Sequence, residues 1–200
     1  MIIAGTGQHG LGQRFVKHAE AMFAESQFKR SKHPMDIATD LCSRTMKDFA
    51  STRVEHNQFG ALVAYPTDKG SQLCEFAIRD LQPELKSSKS WFVSMGSGQL
   101  ICDPFLGLLR RVFWKEKPPK LNEGIFAVTW ALSHAVELNP GGIKDPIHLA
   151  ILESGSGSAS RLDQNQIGEH LENVAAAEAH LATYFENLSG RGQAPPVPDL

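Results

Sequence analysis

Met1-Ile2-Ile3-Ala4-Gly5-Thr6-Gly7-Gln8-His9-Gly10-Leu11-Gly12 opens the chain and runs straight into Arg14-Phe15-Val16. The four glycines after a short apolar start demand either a turn or a close approach of backbone to something else. Apolar residues, a glycine turn and a helical pattern read in order as strand, loop and helix. Such a loop gathers backbone N–H groups at one point, where they can stabilise negative charge. Gly5-Thr6-Gly7-Gln8-His9-Gly10 also fits G-x-G-x-x-G. A dinucleotide site needs a second strand with an acidic residue after the first helix. Here a second helix follows instead, so the fit is to the letters and not to the context. No G-K-[ST] follows, which excludes a P-loop.

Outward from that loop the periodicity is clear. Leu11, Phe15, Ala19, Met22 and Phe23 form one apolar helical face over residues 10–26. Pro34 suits a helix start, and Met35, Ala38, Leu41, Cys42, Met46 and Phe49 give a second amphipathic helix to Ser51. Phe59 to Tyr65 reads as a strand, Pro66-Thr67-Asp68-Lys69-Gly70 as a hairpin turn, and Gln72 to Arg79 as the return strand. A further strand is expected over Ser90 to Met95, ending in Gly96-Ser97-Gly98. Helices are expected over Gln99 to Trp114 and Leu121 to Leu138, the latter apolar on most sides and therefore buried between layers. Ile147 to Leu152 reads as a closing strand. Helix pairs alternating with antiparallel strands exclude a doubly wound parallel sheet.

Residues 1–153 thus form one core domain. Ser154-Gly155-Ser156-Gly157-Ser158-Ala159-Ser160 reads as the start of a flexible linker, 154–166. Ile167, Leu171, Val174, Leu181, Phe185 and Leu188 mark an amphipathic helix, 167–188, whose seam Glu178 interrupts. That helix either docks on its own domain or offers its face to a partner. Residues 189–200, rich in Pro and Gly, read as a disordered tail.

Composition narrows the function classes. The 200 residues are 42% hydrophobic and 21% charged, with net charge −2. Nothing in that balance points to nucleic acid or to an anionic membrane surface. No signal peptide and no apolar run long enough for a bilayer is visible, and three scattered cysteines suit a reducing cytoplasm. The eight histidines show no metal-ligand spacing, so no metal and no cofactor is expected. There is no G-x-S-x-G, and Ser97 lacks the flanks of a nucleophile elbow.

The succession Ala4-Gly5-Thr6-Gly7, a helical hairpin, the Gly60-Ala61-Leu62-Val63-Ala64-Tyr65 strand, Ser94-Met95-Gly96-Ser97-Gly98, Leu121 to Ala135 and Gly141-Gly142 resembles the proteasome-type (20S β-subunit-like) branch of the N-terminal-nucleophile hydrolases. The likeness covers residues 1–153. It implies an α+β fold, a four-layer α/β/β/α sandwich, with the C-terminal helix as an addition. It also implies assembly into a homo-oligomeric ring, peptide or unfolded protein as substrate, and a possible ATPase partner. Family members cut peptide bonds with an N-terminal threonine whose own α-amino group, titrating near neutrality, takes the proton.

Carried over residue by residue, the resemblance makes Gly5 a backbone donor of the oxyanion hole, Ile3 a pocket-lining position and Ser97 a support for the nucleophile. The supporting Asp and Ser of the family fall on Glu137 and Pro140. Glu is the longer carboxylate and Pro has no hydroxyl, so this half of the network departs from the pattern. The family's nucleophilic threonine, aspartate and lysine lie on two strands ahead of the glycine loop. This sequence has Met1 and Ile2 there, and is expected to be inactive by itself. Two expectations follow for the edge near Ile2 and Ile3: the start of the protein lies upstream of Met1, or a partner covers the gap. Three functions stay open at this level. They are a threonine peptidase subunit, a non-catalytic ring-forming scaffold, and a small-molecule binding module at the glycine loop.

Overall fold

A computed structural model describes residues 1–25, 28, 32–54, 58–115, 117–154 and 156–189. The expected disordered tail, 189–200, lies outside the described residues from 190 onward.

Strand β1 (Ile2–Gly7) leads into α1 (His9–Ala24), which is followed by α2 (Pro34–Ser51). Strands β2 (Phe59–Thr67), β3 (Gly70–Phe76) and β4 (Pro83–Leu85) come next. All pairs are antiparallel and the sheet order is β1-β2-β3-β4. Alternation does the sorting here. Phe59, Ala61, Val63 and Tyr65 of β2 all point into one core with Phe15, Met22, Leu41 and Phe49 of the two helices. Phe15 sits between Phe59 and Phe76, with ring centroids 5.4 and 5.2 Å away.

Two polar ties fix the helix layer on the sheet. The Tyr65 hydroxyl donates to the Pro34 carbonyl at 2.7 Å, anchoring the start of α2 to β2. Arg14 joins α1 to α2: its Nε donates to Asp48 at 2.7 Å, it also reaches the Asp48 carbonyl and Thr52, and it lies over the Phe49 ring.

The second half is mostly helical. Helix α3 (Gln99–Leu109) ends in a π-type turn, Arg110–Trp114, and is followed by α4 (Leu121–Leu138). Strands β5 (Ala150–Leu152) and β6 (Ala159–Arg161) form a two-stranded sheet, and α5 (Gln164–Leu188) closes the described chain. A second core joins α3, α4 and α5 through Leu106, Trp130, Ala131 and Val174. A third gathers Ile147, Leu149 and Ile167. The architecture is therefore α+β: a four-stranded antiparallel sheet with helices, plus a small hairpin near β1 and β2.

Several boundaries differ from the sequence reading, each for a visible reason. Trp91 to Met95 is not a strand. Asp103 accepts from the Ser94 backbone N–H at 2.9 Å and from its hydroxyl at 2.6 Å, while Trp91 packs on Phe92 and Trp114. The return strand stops at Phe76, and a turn through residues 78–80 lets β4 add to the sheet. The closing strand shortens to Ala150–Leu152. Residues 154–166, read as a linker, contain the whole of β6 and the Asp163 cap of α5. All three β6 residues are exposed, so that strand has no apolar alternation to read.

The last helix begins at Gln164, three residues earlier than its apolar pattern. Asp163 accepts from the Gln166 N–H and Gln166 returns the bond, a capping box. Glu178 does not break the seam. It accepts a 2.8 Å hydrogen bond from the Trp130 indole and so pins α5 to α4.

Candidate functional site

The first strand lies at the edge of its sheet. Its inner side pairs with β2 from Ile2↔Ala64 to Gly7↔Phe59. Among the described residues no strand pairs with its outer side. An edge strand leaves alternate N–H and C=O groups unpaired, ready to accept a further strand.

A cavity of about 430 Å³ opens beside this edge. Ile3, Gly5, Thr6 and Gly7 of β1 form one wall and Phe59 of β2 its floor. Helix α1 supplies the other wall, with Gln13, Val16, Lys17 and Glu20 on one helical face and His9 at its start. The cavity thus has an apolar base, an exposed peptide edge and a rim carrying one cation and one carboxylate. Gly5 is part of the geometry: a Cβ there would stand 2.9 Å from the Phe59 ring.

Gly7 closes the strand with φ +101 and hands the chain to α1. The Gln8 N–H then donates to the Gln58 carbonyl at 2.9 Å, and the two glutamine side chains also hydrogen-bond. Above Thr6 lies the Gly96-Ser97-Gly98 turn. Gly96 has φ +89, and a Cβ on it would come within 2.9 Å of the Thr6 hydroxyl. The Ser97 hydroxyl donates to the Gly142 carbonyl at 3.1 Å and so ties the turn to the Gly141-Gly142 segment after α4.

Of the residues singled out in the sequence, Gly5 and Ile3 line the cavity. Ser97 sits in the turn that meets Thr6, with its hydroxyl engaged on Gly142. Glu137 and Pro140 are exposed at and beyond the end of α4, and neither lines the cavity. Thr6, Lys17, Glu20 and Phe59 were missed. Gln13, Lys17 and Glu20 are ordinary polar residues of an amphipathic helix, and nothing in the sequence sets them apart from Arg14 or His18.

Thr6 turns its hydroxyl toward Gly96, on the opposite face of β1 from Ile3 and Gly5, and its nitrogen is a strand amide that cannot act as the amine base of an N-terminal nucleophile. The cysteines offer no alternative. Burial raises the thiol pKa of Cys42, Cys74 and Cys102, that of Cys74 to about 12, and none lines the cavity. Among the described residues no group of His, Cys, Asp and Glu could hold a metal ion, and no helix is long and apolar enough to cross a membrane.

No family model matches the chain, and no curated protein does. Solved structures do. Anbu (ancestral beta-subunit) from Yersinia bercovieri superposes with a TM-score of 0.65 at 10% identity, over 98% of this chain and 84% of the other. The Anbu (Gly-1) mutant from Hyphomicrobium sp. strain MC1 gives 0.67 at 13% identity, over 94% and 79%. At such identities the likeness is one of fold. It corrects the resemblance drawn from the sequence: the matching structures are Anbu proteins, proteasome-like but distinct from the 20S β-subunits.

Proposed function

We propose that this chain is a subunit of a proteasome-related assembly and that it holds an extended peptide along the outer edge of β1. The observation that carries the reading is the coincidence of an unpaired strand edge with a cavity on the same strand. Main-chain hydrogen bonds from the edge would give affinity, and alternate peptide side chains would reach the cavity or point to solvent. Ile3 and Phe59 favour an apolar or medium side chain there. Lys17 and Glu20 would set the polarity of the rim.

Hydrolysis of the bound peptide needs a nucleophile beside Gly5, and Thr6 lacks the free amine that would make it one. Gly5 would contribute its backbone amide and Ser97 would hold the adjoining turn through Gly142. Self-assembly into a ring belongs to this reading.

Fluorescence anisotropy with a dye-labelled, unstructured peptide tests it. Saturable binding is expected, and N-methylation of alternate backbone nitrogens on the edge-facing side should abolish it. Equal binding of the methylated peptide would remove strand addition.

A further inference from the structure

We propose that the last two turns of α5 dock on the α3 π-type turn of a second copy of this chain. The pairing rests on the self-assembly reading above and names the surfaces that carry it.

Helix α5 is two surfaces in one. Up to Glu178 it belongs to its own domain: Ile167 and Val174 are buried, and Glu178 accepts from Trp130. Beyond that point Leu181, Tyr184, Phe185 and Leu188 are 58, 51, 70 and 62% exposed. They recur at three- and four-residue steps and so form one apolar ridge. A water-facing helix end gains nothing from this pattern, and single exposed apolar residues do not line up so. The charge around the ridge is of one sign. The helix contains Glu169, Glu172, Glu178 and Glu186, and neither Lys nor Arg.

The π-type turn is its complement. Leu108, Val112 and Phe113 are 42, 55 and 52% exposed. Beside them an open groove of about 390 Å³ is floored by Phe92 and Gly107 and walled by Arg110, Arg111 and Lys115. Among the described residues no carboxylate pairs with those three cations. Lys117 and Lys120 follow in sequence, with Glu116 and two prolines between them and Lys115.

A second copy suits this groove because it brings what the groove lacks: an apolar helix edge with Glu186 and no cation. Opposite charge flanking matched apolar surface sets register and speeds encounter, and burial of the ridge supplies the affinity. Where the two patches engage different neighbours the contact is heterologous, the type that builds rings or open helices.

The test is the mass of the full chain in solution, by multi-angle light scattering and sedimentation velocity. The parent should run as a multiple of 21.9 kDa. Phe185→Glu and Arg111→Glu should each weaken association about tenfold or more, the loss of one interface anchor. Because both side chains are exposed, the variants should keep the parent's far-UV circular dichroism spectrum, which separates loss of the interface from loss of the fold. Glu186→Lys should also fall apart by itself, yet a mixture of Glu186→Lys and Arg111→Glu should reassociate, since each repairs the other's charge. If the parent is oligomeric and the variants keep its mass, these surfaces are not the interface and the proposal falls while self-assembly stands. A monomeric parent would overturn both, leaving peptide capture at β1 to its own assay.

Discussion

Gly7→Ala should cost far more than an added methyl normally does. Gly7 holds φ +101, a region where residues with a Cβ are strained. That strain costs about 1–3 kcal/mol. The Cβ would also stand 2.1 Å from the Gln58 carbonyl oxygen and 2.9 Å from its carbon, both backbone atoms. To restore ordinary C···O contact the two strands must part by about 1 Å. The same carbonyl accepts the Gln8 N–H at 2.9 Å, so parting the strands breaks that bond. Its loss adds about 1 kcal/mol. The sum is about 2–4 kcal/mol, or roughly 5–15 °C in melting temperature for a chain of this size. Gly10→Ala is the control. Gly10 lies in the first turn of α1, and its Cβ would meet nothing within 4 Å. Alanine there should stabilise by up to about 1 kcal/mol. Denaturant titration followed by circular dichroism measures both. A Gly7→Ala protein within about 0.5 kcal/mol of its parent would refute the reasoning, as would a Gly10→Ala protein that falls as far.

Four further outcomes follow from the packing. The Arg14 hydrogen bond outweighs desolvation and, with His18, holds Asp48 below the usual carboxylate range. Its contribution is present above the unfolded pKa near about 4 and is lost as pH falls through the lower folded value. Asp48→Asn should therefore cost about 1 kcal/mol at neutral pH, and the gap to the parent should close in acid denaturation curves. Lys86 is raised, because bonds to Glu75 and Glu84 outweigh the desolvation that pulls it down. Its stabilisation should hold below the ordinary lysine pKa of about 10.4 and fade as pH rises through the folded value, while Lys86→Ala should cost about 3 kcal/mol by urea titration. Glu178→Ala should lose about 1 kcal/mol and speed hydrogen exchange in α5, with Glu178→Gln restoring most of the protection. All three thiols should react slowly with a disulfide reagent at pH 8 until the protein unfolds, given their burial and raised pKa values.

What could be read in the sequence was whatever a single periodicity decides. Leu11, Phe15, Ala19 and Met22 mark α1 because one face of it is buried whole. The β2 alternation survives because Ala61, Val63 and Tyr65 face the helices. Trp91 to Met95 looked like a strand because its residues are apolar, but Asp103 satisfies the Ser94 backbone and a ladder is not needed. The Ser/Gly stretch hid β6, whose side chains carry no burial signal at all. The same limit applies to the site. Gly5 stands out in the glycine loop and Ile3 enters only through the family resemblance, whereas Lys17, Glu20 and Phe59 reach the cavity only through the packing of α1 on β1 and β2.

Hydrogen exchange across β1, with and without a saturating extended peptide, tests the strand-addition account most directly. The outward-facing amides among residues 2–7 should slow when peptide is bound, together with the wall of α1 from Gln13 to Glu20. Peptide binding that leaves β1 exchange unchanged, or protects only residues away from the cavity, would contradict it.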